Sequence, residues 1–224
     1  MISLIVVFFL AIFMRLYPLG QYEIWGSDTG EYFRITNQLT DDGYVDTEYD
    51  GWGFGYPYFP GMFHLSGSIS LVSGINNLNS MIFFIPIASA FSVLLIFILA
   101  KMLFKNNEAG IIAGAFIAVT MPHVLATSHP MPGSLGDLFL ILSLLLFIGS
   151  FQNKKFLPLL VLSSMALIFT HHLSSYFFFI MGLGGLFVAE ILRKESHNNA
   201  KYLWAFLFFF LSILIVFWLS LIHI

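Results

Sequence analysis

The chain has 224 residues, 58% of them hydrophobic and only 9% charged, with a mean hydropathy of +0.89. These values exclude an ordinary soluble domain, and apolar runs of about 20 residues recur, long enough to cross a hydrocarbon core of about 30 Å. The net charge of −3 says less than its distribution, and with no cysteine neither disulfides nor thiol chemistry apply.

The pattern predicts an all-α, polytopic transmembrane helix bundle, one domain over residues 1–224, with seven crossings. The first, 1–17, is apolar from its start. It lacks a basic leader and a small-residue cleavage site, so it reads as a retained span. The others are expected near 80–103, 109–127, 134–150, 156–171, 174–192 and 202–222. Between the first two lies an acidic loop, 18–61, and then 62–75, about 14 residues with four serines and two glycines. That stretch is too short and polar to span, and is expected as an interfacial or re-entrant helix. The chain ends inside the apolar run Phe206–Ile224, as a piece of a longer protein would.

Charge gives the bundle a direction. Eight of the twelve acidic residues fall in 18–61 (Glu23, Asp28, Glu31, Asp41, Asp42, Asp46, Glu48 and Asp50), opposed there only by Arg34. Seven of the nine basic residues (Lys101, Lys105, Lys154, Lys155, Arg193, Lys194 and Lys201) lie in loops that alternate to the other side. The positive-inside rule makes that side cytoplasmic and the acidic loop external. Of the histidines, His64, His123, His129, His171, His172 and His223 map to the outer side and His197 to the inner.

Within the acidic loop, Tyr32, Ile35 and Leu39 form an apolar stripe at helical spacing, and Gly43 is a natural stop. The short helix so predicted lies flat on the membrane. Asp28 at its start has two readings. It is a carboxylate at the outer face, able to bind a hard divalent cation or act as a base. Alternatively Asp28 and Glu31 form a capping box. Asp137 is the one acid between Glu108 and Glu190, a turn into an apolar helix. A charge there costs roughly 2.5–3.5 kcal/mol at mid-membrane and should face protein or water. Its alternative is again a capping box, Ser134 with Asp137 after Pro132-Gly133.

Neutral imidazole ligates metals and a protonated one holds phosphate, so His129 and the pair His171–His172 are candidates, the pair because helix C-termini favour cationic histidine. Arg34 either grips a phosphate or carboxylate bidentately or pairs with Asp28, Glu31 or Asp41. Trp52, Phe54, Tyr56, Tyr58 and Phe59 either stack on sugar rings and prenyl chains or form an interfacial belt.

The run Ser27-Asp28-Thr29-Gly30-Glu31-Tyr32-Phe33-Arg34, followed by Thr36, Leu39 and Gly43 and then by Tyr56-Pro57-Tyr58-Phe59-Pro60-Gly61, resembles the first outer loop of GT-C-fold glycosyltransferases. It is most similar to oligosaccharyltransferase catalytic subunits, archaeal ones included. Gly133-Ser134-Leu135-Gly136-Asp137 stands where such enzymes carry a second acidic motif. The resemblance covers about residues 1–150 in matching order. It implies Asp28 as metal ligand and catalytic carboxylate and Asp137 as a second ligand. That motif usually holds two acids, and His129 would fill the missing place. Glu31, Arg34, His171, His172, Trp52 and Tyr56 would contact substrate. It further implies a Mg or Mn cofactor, a polyprenyl-phosphate-linked sugar donor, a protein or lipid acceptor, membrane lipids as surroundings and no nucleic-acid partner. The setting would be the outer face of a prokaryotic plasma membrane. The family's C-terminal acceptor-recognition domain has no counterpart in the sequence. The competing expectations are a multi-span transporter, against which stand the uncharged span centres and the absence of a repeat, and a non-catalytic lipid-binding subunit.

Overall fold

The computed structural model describes residues 2–46, 50–53, 55–191 and 199–222, so Glu48, Phe54, Arg193, Lys194, His197 and His223 of the residues above lie outside it. The described residues are helical with no strand. Ten helices carry the architecture: α1 (Ile2–Leu16), α2 (Thr29–Asp42), α3 (Gly61–Ser73), α4 (Asn77–Phe104), α5 (Asn107–Val119), α6 (Met121–Thr127), α7 (Pro132–Gln152), α8 (Leu157–Thr170), α9 (His172–Ile191) and α10 (Ala200–Ile222). Five stretches among them are long and apolar enough to cross a membrane: Ile2–Gly20, Asn77–Phe104, Pro132–Gln152, His172–Ile191 and Ala200–Leu219. A sixth arises if α5 and α6 form one broken span.

Two expected crossings take another form. The third is bent by 63° between α5 and α6. Thr120 is extended there (φ −63°, ψ 111°) and Pro122 has no N–H with which to continue the ladder. The fifth forms as α8, 14 residues or about 21 Å long, short of a full hydrocarbon core. The stretch expected as a short non-spanning helix is α3, 13 residues ended by Gly74 at φ +74°.

Helix α4 is irregular at its start. A π-helical turn, Ser80–Phe84, precedes Pro86, again a residue without an N–H to give. Farther on, α4 packs tightly on α5 because α5 presents Gly110, Gly114 and Ala118 along one buried stripe. A Cβ at Gly110 would stand 2.7 Å from the Phe97 carbonyl oxygen. Small residues at every fourth position let two backbones approach where lipid provides no hydrophobic drive.

Helix α7 is the central column. Its N-terminal part joins Tyr32, Ile35, Met62, Phe63, Met81 and Ile85 in one core around α2 and α3. Its later turns join a second core with α8, α9 and α10, where Phe178 meets Phe210 at 5.1 Å and Phe147 at 6.1 Å, both nearly perpendicular. The first residue of α7, Pro132, lines the cavity that holds Asp28. Its last, Gln152, borders two recesses carrying Lys101 and Lys105 on one side and Lys154 and Lys201 on the other. The acidic and basic poles of the bundle therefore stand one α7 length apart, about 30 Å.

Candidate functional site

Helix α2 forms as its stripe predicts. Tyr32, Ile35 and Thr36 are buried, and Gly43 takes the left-handed conformation (φ 81°) with its N–H on the Leu39 carbonyl. Asp28 sits at the N-cap position, yet its side chain caps nothing. It accepts a hydrogen bond from the Tyr56 hydroxyl, 2.6 Å from Oδ2. The capping box, the alternative reading of Asp28, is not formed; the carboxylate is held through Oδ2 by a donor from a distant loop. Tyr56 reaches it from a 3-10 turn, Tyr56–Tyr58, whose ring lies where a Cβ on Gly53 (φ +77°) would be. The buried Tyr32 ring packs on Tyr56 at 4.9 Å. Both phenols are held protonated above their ordinary value. Burial is the first cause for each; the Asp28 carboxylate adds to both, and the Tyr56 hydroxyl adds to Tyr32.

Asp28 and Tyr56 form one wall of a half-open, largely apolar cavity of about 240 Å³. Phe59, Met131, His171 and His172 form much of the rest. His171 follows α8 and lies against Gly136 of α7, where an added Cβ would be 2.5 Å from its own Cβ. Its Nδ1 accepts from the Ser174 backbone N–H (3.4 Å) and lies 2.8 Å from the Ser174 hydroxyl. A ring nitrogen that accepts from a backbone N–H carries no proton, so the His171 proton is on Nε2, beside Gly133 at the cavity wall. The expectation of a cationic pair at a helix end is corrected here: His171 is a neutral donor. His172 is packed among rings, 5.0 Å from Phe59 and 5.3 Å from Trp218.

Asp137 is a turn and a half into α7 and within electrostatic reach of His171. Its Oδ2 lies 2.8 Å from His123 Nε2 on α6, and His123 Nδ1 lies 2.9 Å from Arg15 Nη2 on α1. The second capping box is also not formed. Helix α7 starts at Pro132, and the Ser134 hydroxyl bonds the Ala126 and His129 carbonyls, each at 2.9 Å. Those bonds fold the 128–131 turn onto α7. Gly26, at φ +115°, permits the acidic loop to approach that turn, since a Cβ there would meet His129 at 2.9 Å. The Trp25 indole N–H bonds Ser128 Oγ at 2.8 Å across the same contact. His129 Nδ1 is buried without a hydrogen-bond partner. Its imidazole is held below the ordinary value, first by burial, with the Leu125 carbonyl and the Asp28 charge pulling the other way.

The remaining expected site residues stand apart. Arg34 pairs at 2.7 Å with Asp50, which was not among its three expected partners, and both side chains are mostly exposed. Arg34 in turn holds the Asp50 carboxyl below its usual value by hydrogen bond and charge. Glu31 is half-buried, one turn along α2 from Asp28. Trp52 is 72% exposed and does not line the cavity. Among the described residues no three of the His, Asp and Glu side chains converge to hold a metal, so Asp28, Asp137 and His129 are not a ready three-donor cage. Asp28 is engaged by Tyr56 and Asp137 by His123, each through Oδ2.

Sequence reasoning passed over Arg15, Tyr32 and the role of His123. The lone Arg15 in an apolar first segment was the available signal, since such a charge must find a partner or water. Arg15 is fully buried. By sequence, the chain matches no protein-family model and no curated protein.

Proposed function

We propose that this chain transfers a sugar or oligosaccharide from a polyprenyl-phosphate-linked donor to a protein or lipid acceptor, at the extracytoplasmic face of a prokaryotic plasma membrane. One observation carries the reading: a carboxylate, Asp28, stands in the wall of a largely apolar cavity at the acidic pole of a lipid-soluble helix bundle. Apolar walls suit a lipid chain, and a carboxylate among them suits a polar reacting head. In transfer, the acceptor's nucleophile bonds to the anomeric carbon as the bond from that carbon to the phosphate oxygen breaks. The phosphate leaves with the electron pair, and the acceptor's proton passes to a carboxylate base.

No lysine or arginine lines the cavity. A phosphate brought beside Asp28 would therefore meet a like charge unless a cation accompanied it. Mg²⁺ commonly binds through one or two carboxylates, water and substrate phosphate rather than an all-protein cage. Asp28, in the cavity wall, suits that mode and would hold the ion there; Asp137, the second holder the resemblance implies, does not line the cavity. Such an ion, Mg or Mn, supplies Lewis-acid neutralisation of the leaving phosphate. The chain's own groups do the rest. Tyr56 fixes the Asp28 carboxylate, and His171 Nε2–H offers a neutral donor to a phosphate or sugar oxygen.

The test is turnover of polyprenyl-phosphate-linked sugar by the chain reconstituted in liposomes. Asp28→Asn should abolish turnover while the protein stays folded, and unimpaired turnover would remove Asp28 from the mechanism. The fully buried Arg15 favours one rival, an ion-coupled transporter. Substrate flux in the same liposomes without sugar-lipid turnover would decide for it.

A further inference from the structure

The chain of bonds from α1 to α7 has a direction set by chemistry. A guanidinium has donors and no acceptor. Arg15 Nη1 donates to the Ala11 carbonyl at 3.0 Å, and Nη2, 2.9 Å from His123 Nδ1, can only donate to it as well. His123 Nδ1 is therefore unprotonated, and the ring's proton is on Nε2. That nitrogen lies 2.8 Å from Asp137 Oδ2 and donates to it. Three residues from three helices, with 108 and 14 positions between successive partners, are thus locked in one protonation pattern. A second proton on His123 would face the guanidinium and break the first bond.

We infer that Arg15 and His123 are positioning residues for Asp137. Arg15 holds His123 in its Nε2–H form, and His123 in turn fixes the orientation of the Asp137 carboxylate through Oδ2. The burial of Arg15 follows from this role. A charge is kept inside the bundle where a neutral residue would suffice for packing, because a permanent donor dictates a tautomer and a titratable one does not. The charged and titratable groups around the chain of bonds are Arg15 on α1, His123 on α6, Asp137 on α7 and His171 between α8 and α9. The catalytic consequence rests on the glycosyl-transfer reading; the tautomer does not.

The experiment has a spectroscopic and a kinetic arm. The chain is labelled with ¹⁵N-histidine, and His123 is assigned by its loss in His123→Gln. It should show a protonated Nε2 and a bare, hydrogen-bonded Nδ1 at neutral pH. A doubly protonated ring, or a proton on Nδ1, overturns the proposal without any assay. Arg15→Met removes the donor on Nδ1, so the Nδ1 resonance should lose its hydrogen-bond shift, and an unchanged His123 spectrum also overturns the proposal. Kinetically, Arg15→Met and His123→Leu should lose about 10–100-fold in turnover, the usual cost of removing the partner behind a ligand. His123→Gln, whose amide can accept from Arg15 and donate to Asp137, should retain most of it. Equal turnover in Leu and Gln variants removes the positioning role. Should the wild-type chain turn over no sugar-lipid, the function reading fails, and the spectra still decide the tautomer. If Arg15→Met does not fold, the wild-type spectrum and the two His123 variants suffice.

Discussion

Tyr56 Oη donates to Asp28 Oδ2 across 2.6 Å, joining residues 28 positions apart and holding the start of α2 against the aromatic turn. The phenol thereby solvates the carboxylate with a fixed donor, and its ring packs edge-on with the buried Tyr32. Replacing Tyr56 by Phe keeps the ring and removes the donor. A hydrogen bond to a charged group is worth about 1.5–3 kcal/mol. The expected outcome is a loss of about 1–2 kcal/mol in thermal unfolding in detergent, since Asp28 is only half-buried and water recovers part of the bond. Turnover should fall with it. An unchanged melting temperature would mean the bond contributes nothing to the fold.

Gly136 and Gly30 make a matched pair of glycine tests. A Cβ at Gly136 would stand 2.5 Å from His171 Cβ and 3.1 Å from its Cγ, whereas one at Gly30 meets nothing within 4 Å. Gly136→Ala should cost about 1–3 kcal/mol by overpacking and push His171 out of the cavity wall. Gly30→Ala, in α2, should be neutral or stabilising by up to about 1 kcal/mol. Melting curves of the two variants check both signs at once.

Arg34 and Asp50 form an exposed ion pair. Such pairs add little to stability and are screened by salt. Arg34→Gln should leave the melting temperature and the donor KM essentially unchanged. A large rise in KM would place Arg34 in contact with the donor instead.

His129 gives the protein an acid-sensitive limb. Burial holds its imidazole below the ordinary value, so the folded state prefers the neutral ring while the unfolded chain takes up a proton near pH 6.5. The unfolded state then binds more protons below that pH. The stability from the neutral ring is complete above about pH 6.5 and is lost as pH falls through the folded-state value. Melting temperature measured from pH 7.5 to 5 should decline on the acid side, and His129→Gln should shallow that decline. Equal slopes would show that His129 does not titrate on unfolding.

How far the sequence could be read depended on the distance over which each signal acts. The stripe Tyr32–Ile35 and the stop at Gly43 are contained in one short segment, and α2 follows them closely. The shortness of 62–75 was equally local, and α3 keeps to it. Capping boxes are local too, yet both failed. Asp28 found Tyr56 and Asp137 found His123, partners that compete from outside the four-residue window of the cap. The bend at Thr120 had a visible cause in Pro122, masked by the continuous apolar run on both sides.

Composition and charge placement by themselves determined a helical, membrane-embedded bundle with an acidic and a basic pole, because burial in lipid requires backbone bonding within each segment and penalises stray charge. They also marked Asp28 and Asp137 as carboxylates in need of an explanation. Only the tertiary structure decided what each carboxylate touches, that His171 is a neutral donor, and that Arg15 is buried behind His123. Those facts depend on side chains brought together from up to 108 positions apart. Packing sets such meetings, and no periodicity along the chain encodes them.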